Sequence, residues 1–414
     1  MCQSHSAMLR PKVSDDRRHL VLADGTPFFW LADTAWELFH RLNREEIEHY
    51  LTVRAEQGFN VIQAVALAEI DGIHDPNAYG ERPLLEDDTS RLNEPYWAHV
   101  DWAIDRAAEH GLYIALLPTW GDKVNQTEWG VGPVLFDAKK ARAFGKVVGR
   151  RYATKDNVIW VNGGDRVPGD KRDVWVALAE GLLEGDDTHE RLMTFHPAGA
   201  RSSAADFHDE DWLDMNMLQT GHNTLNYGYL KKMLLDTYHR EPTKPVLDAE
   251  PNYENHPVDF NMLKGYFDEG HVRQSTYTTV FSGGCGVTYG CHAVWQMARD
   301  KHVPVNNPIS HWHYSLGLPG ARQMHHLKDL MLSLPFLELA PITDGPLPIL
   351  ATPDRKVVAV HTPEGEAIEL ADGGKAEWFD PATGGRQLAT KEGGVFTPPS
   401  KGGRVKDWVL IVRN

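Results

Sequence analysis

The 414 residues carry 58 acidic against 42 basic side chains, a formal net charge of −16, and 42% of them are hydrophobic. That balance describes a chain with a real core, and it excludes nucleic acid or an anionic membrane as partner, because both demand concentrated positive charge. The length fits a barrel of roughly 250–330 residues with a small appendage.

The N-terminal MCQSHSAMLRP has no apolar core of signal-peptide length. As given, the chain therefore reads as cytoplasmic, or as secreted or periplasmic if a leader was trimmed. Cys2, Cys285 and Cys291 are too few and too odd in number for a disulfide framework, and the last two read as small buried side chains. FFWLAD (28–33) is the first strand. Asn43 caps the helix that follows, with Glu46 three residues on as in a capping box, and its apolar face runs through Ile47, Tyr50, Leu51 and Ala55 to Gly58. NVIQAVAL (60–67) is the second strand. After a polar insertion comes a helix with Trp97, Val100, Ile104 and Ala108 on one face, closed by Gly111. LYIALLPTW (112–120), a helix near 136–152, VIWVNGGD (158–165) and a helix near 172–185 continue the alternation.

Further strands are LMTFHP (192–197), MNMLQTG (215–221), KPVLDAEP (244–251) and GVTYGCHAVW (286–295). The helices between them lie near 202–212 (the weakest), 226–239 and 259–280, and a last one lies near 322–334. Eight β/α units without a phosphate-binding glycine loop predict a closed (β/α)₈ TIM barrel rather than an open dinucleotide-binding sheet. From about Leu347 the texture changes to short alternating strands rich in Gly and Pro turns, which predicts a small antiparallel β-sandwich. The division expected is a barrel over 17–340 and a β-domain over 341–414.

Catalytic groups of such barrels sit at the C-terminal ends of the strands. Acidic residues that end apolar strands are costly there unless used. Asp165 ends VNGGD, where two glycines let a substrate approach the backbone. Glu250 ends VLDAEP two residues after Asp248, so a continuing strand would point both the same way; Asp248 is assigned to support or binding. A pair of carboxylates across a barrel mouth fits glycoside hydrolysis, and their separation decides between retention and inversion. Retention is expected. Substrate positioning falls to Asp33, Trp36, Trp120, Asp122, His196, Gln219, Tyr289 and Trp295, the tryptophans because flat rings suit sugar faces. Twenty-one histidines make a metal-dependent barrel hydrolase one rival, yet HExxH, HxH after the first strand and CxxC are all missing. No metal or cofactor is expected. A non-catalytic carbohydrate-binding protein is the other rival, and an oligosaccharide is the expected partner.

FFWLADTAWELFHRLNREEIEHYLTVRAEQGFNVIQ, YIALLPTWGDKV, VIWVNGGD and VLDAEPNYE, in this order, resemble the apiosidases of glycoside hydrolase family 140. EWFDPATGG and DWVLIV are similar to the small β-domain, labelled collagen-binding, that usually follows. The resemblance covers about residues 17–414. It implies a (β/α)₈ barrel with a β-sandwich and cleavage at apiose in the side chains of rhamnogalacturonan II, a pectin. By motif it puts the acid/base on Asp165 and the nucleophile on Glu250. Related barrel hydrolases carry Asn-Glu where this chain has Asn162-Gly163-Gly164-Asp165.

Overall fold

Eight parallel strands form the centre of the computed structural model. They are β1 (Trp30–Thr34), β2 (Val61–Leu67), β3 (Tyr113–Thr119), β4 (Val158–Arg166), β5 (Met193–Pro197), β6 (Asn216–Gln219), β7 (Val246–Asp248) and β8 (Gly286–Tyr289). The described residues are 8–127, 129–186, 190–371, 374–400 and 406–414, so Cys2 lies outside them. The strands run in the order β5-β4-β3-β2-β1-β8-β7-β6, with Arg201–Ser202 paired antiparallel to β6. Between β5 and β6 the Asp214 amide donates to the Met193 carbonyl at 2.9 Å and Thr194 Oγ1 to the Met215 carbonyl at 2.8 Å. These bonds bring the sheet's two ends together into a TIM barrel.

Around it lie α1 (Arg44–Glu56), α2 (Glu94–Glu109), α3 (Ala138–Tyr152), α4 (Arg172–Gly185), α5 (Ala204–Phe207), α6 (Tyr227–Tyr238), α7 (Glu269–Val280) and α8 (Pro319–Ser333). The capping box on α1 is present: Asn43 accepts from the Glu46 amide and Glu46 from the Asn43 amide, both at 2.9 Å. The weak fifth helix is a single turn. Two elements end elsewhere than their apolar patterns predict. The seventh helix begins only at Glu269, where Asp268 caps it, so the chain before it is loop. The eighth strand stops at Tyr289, and His292–Trp295 is a helical turn.

Burial follows the pleat. Trp30, Ala32, Val61, Val65, Ala115, Leu117, Ile159, Val161, Met215 and Met217 fill the barrel interior. Leu31, Ile62, Ala64, Ile114, Trp160 and Phe195 face the helix layer. An N-terminal hairpin (Pro11–Val13 with Leu20–Leu22) brings Leu20 against Phe28 and Trp30 and stoppers the N-terminal end of the barrel. No helix among the described residues is long and apolar enough to cross a membrane.

A six-stranded antiparallel sheet begins at Ala340–Ile342 and ends with the central strand Trp408–Arg413. A three-stranded sheet packs beside it. Val409 and Ile411 belong to the barrel's helix-layer core, whereas Leu410 and Val412 pack with Trp378 and Phe396 inside the β-domain. Burial on both faces explains the unbroken apolar run WVLIV. Beneath it Arg273 of α7 makes a two-point ion pair with Asp407, Nε to Oδ2 at 2.8 Å and Nη2 to Oδ1 at 2.9 Å, with both side chains buried. Asp407→Ala is therefore expected to destabilise the protein by about 3–5 kcal/mol, because it leaves a buried guanidinium without its counter-charge. Denaturant unfolding checks this, and a double replacement of Arg273 and Asp407 by apolar residues should recover most of the loss.

Candidate active site

At the C-terminal end of the barrel lies a pocket of about 160 Å³, at the end where barrels of this kind carry their sites. Its walls are aromatic, with Trp36, Trp120, Trp129, Tyr253, Phe260 and Trp295, and its polar groups include Glu69, Asp165, Gln219, His222, Glu250 and Asn306.

The VNGGD segment is shaped by its glycines. Gly163, Gly164 and Asp165 all have positive φ, at 95°, 99° and 48°, and the pairing of β4 with β5 shifts register between Gly163 and Arg166. A Cβ on Gly163 would stand 2.3 Å from the His196 carbonyl oxygen, and one on Gly164 would stand 2.6 Å from the Trp120 ring. Only glycine fits at either place. The bulge puts Asp165, a strained non-glycine residue, on the pocket wall with its side chain 22% exposed.

Glu250 follows the end of β7 and is held by two imidazoles. His222 Nε2 donates to Oε1 at 3.1 Å, and His196 Nε2 lies 3.3 Å from Oε2. His196 Nδ1 is 4.0 Å from Asp165 Oδ1, so this buried ring stands between the two carboxyls. Trp36 and Trp120 pack against it, with centroids 5.2 and 6.1 Å away. Behind His222, His256 stacks at 4.1 Å and His292 meets His256 edge-on at 4.4 Å. Trp295 Nε1 donates to His292 Nδ1 at 3.2 Å, which fixes the indole at the rim.

The two carboxyls titrate apart. Burial, and then the charge of Glu250, push Asp165 up to about 7. Burial would raise Glu250 too, but His196 and His222 outweigh it and hold that carboxyl well below the usual range. One acid thus keeps its proton near neutrality beside one that is ionised, the pairing that acid-assisted displacement needs. Among the described residues, Asp165, His196 and Glu250 are also the group that presents three ligand atoms within 4.8 Å of one another, so they can hold a cation.

Of the positions expected to bind substrate, Trp36, Trp120, Gln219 and Trp295 line the pocket and His196 lies directly beneath it. Three do not reach it. Asp33 is buried in the helix layer, paired with Arg54 Nε at 2.6 Å and accepting from Tyr50 at 2.5 Å. Asp122 ties down its own loop: it accepts from the amides of Val131 and Gly132 at 2.9 and 2.7 Å and pairs with Lys123 at 2.8 Å. Tyr289 donates to Glu254 at 2.5 Å, away from the mouth. Each buried charge is compensated by a partner rather than by a substrate. Asp248 accepts from Thr220 Oγ1 at 2.6 Å, and only Glu250 lines the pocket, because the strand stops at Asp248. Trp129, Tyr253, His256, Phe260, Val305 and Asn306 complete the walls from loops that carry no periodic signal.

Residues 14–338 match the family described as "Apiosidase-like, catalytic domain", and residues 343–413 match the "Putative collagen-binding domain of a collagenase". No curated protein matches the sequence. Among solved structures, a glycoside hydrolase family 5 protein from Bacteroides vulgatus is 30% identical; the match covers 98% of this chain and 93% of that one, with a TM-score of 0.87. A second, described only as a glycoside hydrolase, is 29% identical over 98% and 97% of the two chains, with a TM-score of 0.86. A family 5 protein from Streptomyces cattleya in complex with GlcNAc shares the fold alone, at 12% identity, 74% and 81% coverage and a TM-score of 0.52. A family match over most of the chain, joined to a structural match along nearly all of it, makes this chain a glycoside hydrolase of the apiosidase-like family.

Proposed function

We propose that this glycoside hydrolase works with retention, Asp165 serving as acid/base and Glu250 as nucleophile. The observation that carries the reading is a pair of carboxyls with oxygens within 4.8 Å of each other, driven toward opposite protonation states. Retaining enzymes hold the two groups about 5–5.5 Å apart, whereas inverting ones leave about 6.5–9.5 Å for a water molecule. In the first step Glu250 attacks the anomeric carbon while Asp165 passes its proton to the leaving oxygen. In the second, the Asp165 carboxylate takes a proton from a water whose oxygen bonds the anomeric carbon as the bond from that carbon to Glu250 breaks, which releases the sugar and returns Glu250 as a carboxylate. His222 and His196 orient the nucleophile, while Trp36, Trp120, Trp295 and Gln219 position the sugar. The substrate we propose is a pectin-type oligosaccharide, cleaved at apiose as in rhamnogalacturonan II; the family description and the aromatic pocket of monosaccharide scale support it. We also propose that the chain divides into units at 340/341, between the two family matches.

Glu250→Gln keeps the side chain's shape and removes the nucleophile. It should lower kcat by about 10³-fold or more with far-UV circular dichroism and Tm unchanged; near-wild-type turnover on an accepted glycoside would rule the assignment out. The pH profile has a defined sign. Asp165 must be protonated to act, so kcat/KM should fall as pH rises through about 7, and Asp165→Asn should abolish that limb along with most activity.

A second reading, metal-assisted hydrolysis, is favoured by the same three-residue cluster. Elemental analysis and dialysis against a chelator separate the two. The carboxylate mechanism expects substoichiometric metal and undiminished activity, and stoichiometric metal whose removal abolishes activity would select the rival.

A further inference from the structure

The pocket contains a third carboxyl that the two-step mechanism leaves unused. Glu69 follows the end of β2, lines the pocket and is 1% exposed. Its Oε2 accepts from the indole Nε1 of Trp129, while its Oε1 is buried without a hydrogen-bond partner. Trp129 itself is 40% exposed and sits on the loop that Asp122 pins through the Val131 and Gly132 amides. We propose that Glu69 is a specificity-determining residue: its free Oε1 takes a hydroxyl of a neutral sugar, and its Oε2 holds Trp129 against the same sugar. The inference rests on the glycosidase reading above and names the class of glycon that this site accepts.

The surroundings of Glu69 fit a neutral partner. The charged groups around it are Glu37, Asp165 and Glu250, whose charges, after burial itself, push its carboxyl upward against the opposing bond from Trp129. The cations near by are already engaged. Lys123 Nζ bonds the Ala68 carbonyl and Asp122. Arg41 lies by Glu37, and Arg166 bonds the Asp165 and Trp129 carbonyls. No Lys or Arg is among the described residues that line the pocket. A uronic acid would therefore bring its carboxylate among three carboxyls with no cation to receive it. A sugar hydroxyl is both donor and acceptor and satisfies Oε1 in either protonation state of Glu69. A site with a buried polar group waiting for a substrate hydroxyl discriminates strongly against ligands that cannot fill it.

The test is hydrolysis of a panel of neutral 4-nitrophenyl glycosides, an apioside included, alongside 4-nitrophenyl glucuronide and galacturonide. Wild type, Glu69→Ala, Glu69→Gln, Trp129→Phe and Glu250→Gln are compared. On the best neutral substrate Glu69→Ala should lose about 10- to 100-fold in kcat/KM, mostly through KM. Glu69→Gln, which still bonds a hydroxyl, should stay within about 10-fold of wild type. Trp129→Phe should raise KM by a larger factor than it lowers kcat, and both uronides should be cleaved at least about 100-fold less efficiently than the best neutral substrate. Acrylamide quenching supplies a substrate-free readout: Glu69→Ala should expose Trp129 and Glu69→Gln should not. An inactive Glu250→Gln beside a fully active Glu69→Ala, or uronides cleaved as fast as neutral glycosides, would overturn this inference while sparing the mechanism. A wild-type protein that cleaves none of the panel, or an active Glu250→Gln, would sink both.

Discussion

Four carboxyls, those of Glu37, Glu69, Asp165 and Glu250, lie in or just behind the barrel's mouth, and burial in a poorly solvating medium, with repulsion from neighbouring carboxylates second to it at Glu69 and Asp165, decides which of them can be charged. Each anion there needs its own compensation. Glu37 has it in His40, 2.5 Å away, with Arg41 behind. Glu250 has it in His222 and His196. Asp165 has one imidazole, that of His196, at the longer distance of 4.0 Å and Glu69 has only the indole of Trp129, and burial pushes both upward. The division of labour among acids is thus a consequence of where the imidazoles stand, and the acids' own residue types are secondary to it. An Asp that titrates high beside a Glu that titrates low reverses the order of the free amino acids.

The imidazoles can stand there because of the backbone. His196 lies against the bulged end of β4, where its own carbonyl leaves no room for a side chain at position 163. Trp120 lies over position 164 for the same reason, and it carries Trp36 and the His196 ring with it. The strain at Asp165 is held by packing on both sides, which keeps its carboxyl fixed on the pocket wall. Geometry, protonation and aromatic walls in this pocket are three results of one local departure from regular strand.

The same physics explains what could be read from residues alone. The barrel followed from apolar runs alternating with amphipathic helices, and the pleat sorts most of the site. His196 shares its parity with Leu192, and Gln219 with Met215 and Met217, all of which point into the barrel. Asp33 shares parity with Leu31, and Tyr289 with Val287, which point to the helices. Applying that alternation to every strand end would have moved Asp33 and Tyr289 out of the site. It could not have placed Glu250, because Leu247 and Ala249 occupy the interior positions and the strand stops before Glu250. Nor could it have found Trp129, Tyr253 or Phe260, which reach the pocket from loops whose course is set by tertiary bonds such as that of Trp129 to Glu69.

The C-terminal domain obeys a different constraint. Carbohydrate-binding surfaces present aromatic faces to solvent, but the aromatic side chains of residues 341–414 are Trp378, Phe379, Phe396 and Trp408, and all four are buried. Its central strand is spent on two cores at once, one side against the helices of the barrel and the other inside the domain. Lys231 of α6 donates to the Gly345 and Leu347 carbonyls, and Arg273 of α7 closes on Asp407, so the contact is polar and specific as well as apolar. Among the described residues of the domain, no Trp, Tyr or Phe presents an exposed face. The domain packs on α6 and α7, and the loop that leads into α7 supplies one wall of the pocket through Tyr253, His256 and Phe260.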